Sequence, residues 1–297
     1  IPASDGNYYV RALEWAFSGW FTPKYTDGST ARHSGDLGSD CYRYFKVMPL
    51  KWRVLTNSYD VDGTSGNKTG SLLVAENAIT GNVKFFDGNI WYTKTQASPD
   101  QYKASRIRAY LNGLSYLSGG DYGKYRSVNN TEFESKGFLQ TAFSQEAIAA
   151  IISTHVDQSA AQAFTTPVRT YNYEDTDDKI FILSSQEWMN DSYGFGDATQ
   201  KRDANTDGHY TRQRFPTDYA IARKGAIYKY AGWANYFYTR TPWYSSNSKQ
   251  ADYKYIDVIA HNGEVLSGEF VSPHDYEGWT SAESWASVVP ALCVNLQ

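Results

Sequence analysis

Apolar residues recur at helical spacing in two stretches of the chain. SRIRAYLNGL, residues 105–114, places them on one helix face, with Ser105 as N-cap and Gly113 near the end. FSQEAIAAIISTHV, residues 143–156, repeats the pattern behind a cap at Ser144. We predict these as the two main amphipathic helices.

Two shorter helices are predicted from their first residues. Ser184 followed three residues later by Glu187 forms a capping box in SSQEWMN. TDYAIARKG, which follows Pro216, is predicted as a fourth helix.

Short apolar runs and alternating patterns elsewhere are typical of strands. The predicted strands are LKWRVLT (50–56), GSLLVAEN (70–77), DKIFILS (178–184), YFYTRT (236–241), YKYIDVIA (253–260) and VVPALCVNL (288–296). YKYIDVIA and the following EVLSG are joined by His261-Asn262-Gly263, and Asn-Gly supplies the positive backbone torsions of a tight hairpin.

Long Gly-, Asn-, Asp- and Ser-rich stretches connect these elements, chiefly YDVDGTSGNKTG and YGFGDATQKRDANTDGHYT. There is no internal repeat and no linker that would separate two domains. The pattern predicts one α+β domain whose loops carry the function.

Composition limits the classes of partner. A net charge of −4 without a lysine or arginine run gives no footprint for nucleic acid or an anionic membrane surface. No stretch approaches the roughly 18 consecutive apolar residues of a membrane span. The chain begins Ile-Pro-Ala, so we expect a processed or trimmed product, located outside the cell or at its surface.

Aromatic residues are in excess, at 16% of the chain with 25 tyrosines. They concentrate in YFYTRTPWY, residues 236–244. Alternation puts Tyr236, Tyr238 and Arg240 on one face of a strand, until Pro242 ends regular pairing. Strands also favour aromatics, so packing and recognition both remain open on composition alone.

Beyond Pro242 the residue types favour binding. Exposed rings next to short polar side chains in a loop suit recognition better than packing. The candidate ligand-binding residues in or beside this loop are Trp243, Tyr244, Asn247, Tyr253 and Tyr255.

The loop SPHDYEGWTSAESW, residues 272–285, adds Tyr276 and Trp279 beside acidic side chains. Sugars stack their C–H faces on rings and bond their hydroxyls to carboxylates and amides. These two rings complete the candidate set for a carbohydrate or protein ligand, whereas Trp285 is predicted as core.

One calcium pattern is present. DANTDG places oxygens at Asp203, Asn205 and Asp207 and a glycine at the sixth position. Arg214 stands where the bidentate acid belongs, so we interpret the segment as a solvated turn, with calcium as the alternative. We therefore predict no metal or other cofactor.

No catalytic constellation is recognisable. The chain has no G-x-S-x-G, H-E-x-x-H or P-loop motif, and its five histidines are scattered. His155 lies on the apolar face of a predicted helix and is interpreted as a core residue. A pair of carboxylates acting on a carbohydrate remains an alternative, since sequence spacing cannot reveal it.

A series of motifs in fixed order resembles a bacterial family known only as a domain of unknown function. The motifs are YFKVMPLKWRVL (44–55), SLLVAENAI (71–79), SRIRAYLNG (105–113), AFSQEAIAAI (142–151), DKIFILSSQEW (178–188), TDYAIARKG (217–225), YFYTRTP (236–242) and VVPALCVNL (288–296). The chain departs from the family where Phe237-Tyr238 replaces a tryptophan pair and Val289 replaces an arginine.

The resemblance implies a C-type-lectin-like fold, related to formylglycine-generating enzymes and to variable proteins of diversity-generating retroelements. Residues 41–297 would form that domain, with 1–40 packed on it as an N-terminal segment. In such folds the terminal strands pair, two helices flank the sheet, and the last third of the chain forms a ligand-binding face. The resemblance also implies that Phe237, Tyr238 and Arg240 are core residues.

The two cysteines, Cys41 and Cys293, lie far apart in sequence. They do not form the close pair that formylglycine generation requires, so that activity is not expected. If the terminal strands pair as the resemblance implies, a disulfide is possible, but we favour two buried thiols.

We therefore expect a non-catalytic recognition domain that binds carbohydrate or protein through its C-terminal third. An enzyme with a carboxylate site and a purely structural or adhesin module are the alternatives.

Overall fold

The protein is described here from a computed structural model. It describes residues 3–14, 23–32, 41–64, 68–81, 83–85, 101–118, 128–164, 171, 173–196, 211–223, 236–243, 255–270 and 286–296. These residues form a mixed α+β architecture in which most strands are antiparallel and lie in several small sheets.

The helices in this part of the chain are short. They are α1 Arg106–Asn112, α2 Phe138–Ala142, α3 Gln145–Ala150, α4 Ser185–Trp188 and α5 Asp218–Ala222.

The strands follow the predicted apolar runs and add several short ones. They are β1 Tyr9–Leu13, β2 Tyr42–Lys46, β3 Trp52–Asp60, β4 Thr69–Ala75, β5 Asn77–Ala78, β6 Tyr116–Ser118, β7 Val128–Asn130, β8 Ile151–Ile152, β9 Thr154–Val156, β10 Thr176–Asp178, β11 Ile180–Phe181, β12 Phe215–Pro216, β13 Phe237–Trp243, β14 Tyr255–Ile259, β15 Val265–Phe270 and β16 Ala291–Val294.

The central sheet has five strands. Its order is β11-β16-β4-β3, and β8 also pairs with β16. The C-terminal strand β16 is therefore an interior strand, antiparallel to β4 from Ala291↔Val74 to Val294↔Ser71. The main hydrophobic core packs around this sheet and includes Leu72, Phe181 and Trp188, each 0% exposed.

The resemblance implies that the first and last strands of residues 41–297 pair with each other, and this expectation is wrong. β16 pairs with β4, whereas β2 pairs with β1. Cys41 precedes β2, so no strand pairing brings it to Cys293. Both cysteines are free, Cys293 buried and Cys41 exposed, so only one of the two buried thiols that we favoured is buried.

A second sheet has the order β13-β14-β15. β14 and β15 form the predicted hairpin, whose turn is closed by a bond from Ala260 N to Glu264 O of 2.8 Å. Gly263 lies in this turn at φ 76°, a torsion that side-chain-bearing residues disfavour.

The antiparallel pair of β1 and β2 has a small hydrophobic cluster of its own. Ala12, Phe45 and Tyr25 pack against Ile221 and Ala222 of α5, and the members of this cluster are distinct from those of the main core. Thr26 also bonds to Asp218 through its backbone N (3.0 Å) and its hydroxyl (2.6 Å). The division of the chain at residue 40 stays a prediction.

The predicted helix starts are confirmed at their capping residues. The side-chain oxygens of Ser105, Ser144 and Ser184 accept bonds from backbone N–H groups three residues later. α1 ends at Gly113 in the left-handed conformation, as predicted from the sequence. These signals are local, because both partners of each cap lie within one turn.

The second predicted helix is shorter than expected. α3 ends at Ala150, and the following two residues form β8, which pairs with Cys293 and Val294 of β16. His155 is therefore not on a helix. It lies in β9, with its ring nitrogens 3.3 Å and 3.5 Å from carboxylates of Asp175 and Asp177.

Candidate functional site

The candidate site begins at one end of the β13-β14-β15 sheet. Trp243, the last residue of β13, is the register partner of Tyr255, the first of β14. Tyr255 is in turn the partner of Phe270, the last of β15. Segment 244–254 therefore leaves and re-enters the sheet at this end, and segment 271–285 starts there.

β13 is buried on both faces rather than on one. From Phe237 to Pro242 every residue is buried, and Trp243 is half-buried. The Phe237 ring lies 4.9 Å from the Trp188 ring, and the Tyr238 ring 5.7 Å from that of Phe85. The implied core positions of Phe237, Tyr238 and Arg240 are thus confirmed.

Pro242 does not end the strand. It pairs with Ile256 after a register shift that begins at Tyr238, so pairing resumes one residue before the predicted loop. Inside the irregular stretch, the Thr239 hydroxyl donates to Asp257 O at 2.8 Å, and Thr241 N donates to that hydroxyl at 3.2 Å. These bonds replace missing ladder bonds and stabilise the bulge.

Arg240 anchors β13 to the core. Its guanidinium is 1% exposed and donates through Nη1 to Glu187 Oε2 and to Ile182 O (3.0 Å). Nη2 donates to Gln162 Oε1 (3.2 Å), and Nε donates to Asp157 O (3.3 Å). Its planar guanidinium thereby connects β13 to two stretches of the chain, residues 157–162 and 182–187.

The carboxylate of Glu187 accepts hydrogen bonds from three groups. Besides Arg240, the Tyr59 hydroxyl donates to Oε1 at 2.6 Å and Ser184 N to Oε2 at 2.7 Å. Burial acts to raise the pKa of Glu187, but the Arg240 charge and these hydrogen bonds outweigh it and hold the pKa below its ordinary value. The burial of this carboxylate and its three hydrogen-bond donors fit a role in positioning β13.

Two of the seven predicted ligand-binding residues lie in the described part of the chain. Trp243 and Tyr255 lie directly opposite each other in the backbone register. The others lie outside the described residues: Tyr244, Asn247, Tyr253, Tyr276 and Trp279. The predicted core residue Trp285 lies outside them as well.

The calcium pattern at Asp203, Asn205 and Asp207 lies outside the described residues. Arg214, at the twelfth position of the pattern, packs inward, and its Nε donates to Ala75 O at 3.1 Å. Within the residues that the structure does describe, no three His, Cys, Asp or Glu side chains are grouped so as to hold a metal ion.

Asn112 is a buried polar contact that the sequence did not reveal. At the end of α1, its Nδ2 donates to Ile180 O at 2.7 Å and its Oδ1 accepts from Ile180 N at 3.1 Å. The side chain thus pairs with the backbone of β11 as a neighbouring strand would. No sequence signal pointed to it, because its partner is 68 residues away.

No helix among the described residues is long and apolar enough to cross a membrane.

A protein-family profile described as "Domain of unknown function (DUF6273)" matches residues 69–296. Since this is more than half of the 297-residue chain, the chain belongs to that family. No curated protein and no solved structure is significantly similar to it.

Proposed function

We propose that this member of the DUF6273 family is a non-catalytic ligand-binding domain of an exported or cell-surface bacterial protein. It binds carbohydrate or protein through the aromatic and polar segments of its C-terminal third. The observation that carries the proposal is the backbone register Trp243↔Tyr255↔Phe270, from which segments 244–254 and 271–285 both emerge.

The composition of these two segments supports recognition. Tyr244, Tyr253, Tyr276 and Trp279 lie among serines, asparagines and acids, the residue types of adaptable binding surfaces. The base of the surface is rigid, because β13 is buried and Arg240 ties it to the core. A base that is already ordered adds no ordering cost of its own when a ligand binds.

A C-type-lectin-like fold is part of the proposal. It is supported by the antiparallel pairing of β4 with β16, the first and last strands of the family-matched region. The sequence resemblance supports it as well, and so does a final third that ends in a candidate binding face.

The test is a glycan-array and protein-ligand screen of the purified chain, repeated with Tyr244→Ala/Tyr253→Ala. Binding should be lost while the melting temperature is nearly unchanged, because both rings are proposed to contact ligand. Tyr8→Ala, which removes a ring that is 65% exposed elsewhere, is the matched control and should bind normally.

If no ligand binds, or if the double variant still binds every ligand that the wild type binds, the structural or adhesin hypothesis is favoured for the C-terminal third. A ligand that is cleaved during the screen, with cleavage lost on Glu277→Gln, would favour the carboxylate enzyme instead.

A further inference from the structure

The antiparallel pair β1–β2 has one face on which several side chains are exposed in the described part of the chain. Partners in an antiparallel pair project to the same face, so Ala12, Arg43 and Phe45 share the face that packs on α5. The opposite face, called the outer face below, consists of Tyr9, Arg11, Leu13, Tyr42, Tyr44 and Lys46.

Two tyrosines dominate the outer face. Tyr42 is 50% exposed and Tyr44 54% exposed, although large rings are usually more buried. Two residues apart on one strand, they are separated by about 7 Å. Because more than half of the Tyr44 surface is exposed, its ring can contact a ligand.

The charged groups of the outer face are mainly cationic. The guanidinium carbon of Arg11 lies 4.5 Å from the centroid of the Tyr42 ring, which holds its donors beside the aromatic surface. Lys46 is exposed and lies opposite Tyr9 in the register. This concentration of cations stands out on a chain of net charge −4.

One carboxylate lies at the end of this face. Asp5 accepts from the Asn7 side chain (2.8 Å), the Asn7 backbone N (3.0 Å) and the Tyr9 hydroxyl (2.8 Å). The side-chain bond from Asn7 is the largest cause of a pKa lowered to about 2. Asp5 is therefore ionised at neutral pH, and Lys46 also lowers its pKa, so this carboxylate offsets part of the Lys46 charge at this end of the face.

We propose that the outer face binds an acidic polysaccharide, a chain of sugars that carry carboxylates. Tyr42 and Tyr44 stack on the C–H faces of consecutive sugars, while Arg11 and Lys46 pair with their carboxylates. An extended polymer that runs along β2 meets rings and cations in one row. The site precedes residues 69–296 and is separate from the proposed C-terminal surface.

The test is calorimetric titration of the full chain with polygalacturonate, using dextran as the neutral polymer and oligo(dT) as an unrelated polyanion with stacking bases. Binding to polygalacturonate alone is expected, and it should weaken with salt. Tyr44→Ala and Arg11→Gln/Lys46→Gln should each weaken it about tenfold or more.

Two control variants make the result specific. Tyr8→Ala removes an exposed ring that neighbours Tyr9 along the chain and therefore projects to the other side, so it should leave the affinity unchanged. Tyr244→Ala/Tyr253→Ala should also leave it unchanged, which separates this site from the C-terminal one.

No binding to polygalacturonate, or binding that survives both outer-face variants, would overturn the proposal. Equal or tighter binding of oligo(dT) would also overturn it, because the face would then recognise stacked bases and negative charge rather than sugar.

Discussion

Arg240 and Glu187 hold opposite charges out of water below the proposed C-terminal surface. Separating a buried pair is costly, because the remaining charge loses its partner and is still desolvated. Glu187→Gln keeps the shape of the side chain but removes its charge. We expect it to lower the free energy of unfolding by about 3–5 kcal/mol, measured by urea denaturation.

Glu134→Gln is the matched control for that variant, since Glu134 is exposed. Its effect should stay within about 0.5 kcal/mol. A comparable loss in both variants would show that the pair at Arg240 contributes nothing specific.

The same pair predicts a pH dependence. The pKa of Glu187 is lower in the folded than in the unfolded state, so its ionisation stabilises the fold above the unfolded pKa of about 4.3. That contribution is lost as the pH falls through the lower, folded pKa. Urea midpoints from pH 7 to pH 3 should therefore decline less steeply in Glu187→Gln than in the wild type.

The two thiols should differ sharply in reactivity. Burial raises the pKa of Cys293 to about 12, so almost none of the reactive thiolate form is present at neutral pH, whereas Cys41 is exposed. Mass spectrometry after alkylation should show one modified cysteine in the native protein and two after unfolding. Full protection of both until a reductant is added would instead indicate the disulfide.

Helix starts were predictable, whereas helix ends and contacts between elements were less so. A cap such as Ser184 depends on a residue three positions away, which the sequence displays directly. The end of α3 depends on β16, about 140 residues later, which recruits Ile151 and Ile152 as a strand. Tertiary pairing overrode the helical period there.

Asn112 shows what such a long-range contact contributes at the scale of an element. Asn112→Leu would leave the N–H and C=O of Ile180 without their side-chain partner beside the edge of the central sheet. We expect a loss of about 1–3 kcal/mol for each unsatisfied group, measured by thermal and urea unfolding.

Asn129→Leu is a suitable control because Asn129 is exposed. If Asn112→Leu is as mild as this control, then water or a shift of β11 replaces the lost bonds.

At the scale of the whole molecule, the described residues form a large core and a small one. Phe45 belongs only to the small cluster between the pair β1–β2 and α5. Phe45→Ala should therefore increase amide hydrogen exchange in residues 3–14, 23–32, 41–46 and 217–223 and leave β4 and β16 protected. Equal loss of protection throughout would show that the two clusters unfold as one unit.

The candidate C-terminal site was predictable in composition and only partly in geometry. The sequence shows aromatic residues next to short polar residues after Pro242, and it predicts the hairpin at Gly263. The bulge that carries β13 past Pro242, and the alignment of Trp243, Tyr255 and Phe270, depend on register between strands. Register follows from packing across the sheet, which residue patterns do not display.

The interior position of β16 has a consequence for biosynthesis. Because β16 pairs with β11, β8 and β4, the central sheet cannot be completed until residues 291–294 have been synthesised. A premature stop before residue 291 would therefore yield a product in which β11 and β8 have lost the strand that joins them to β4.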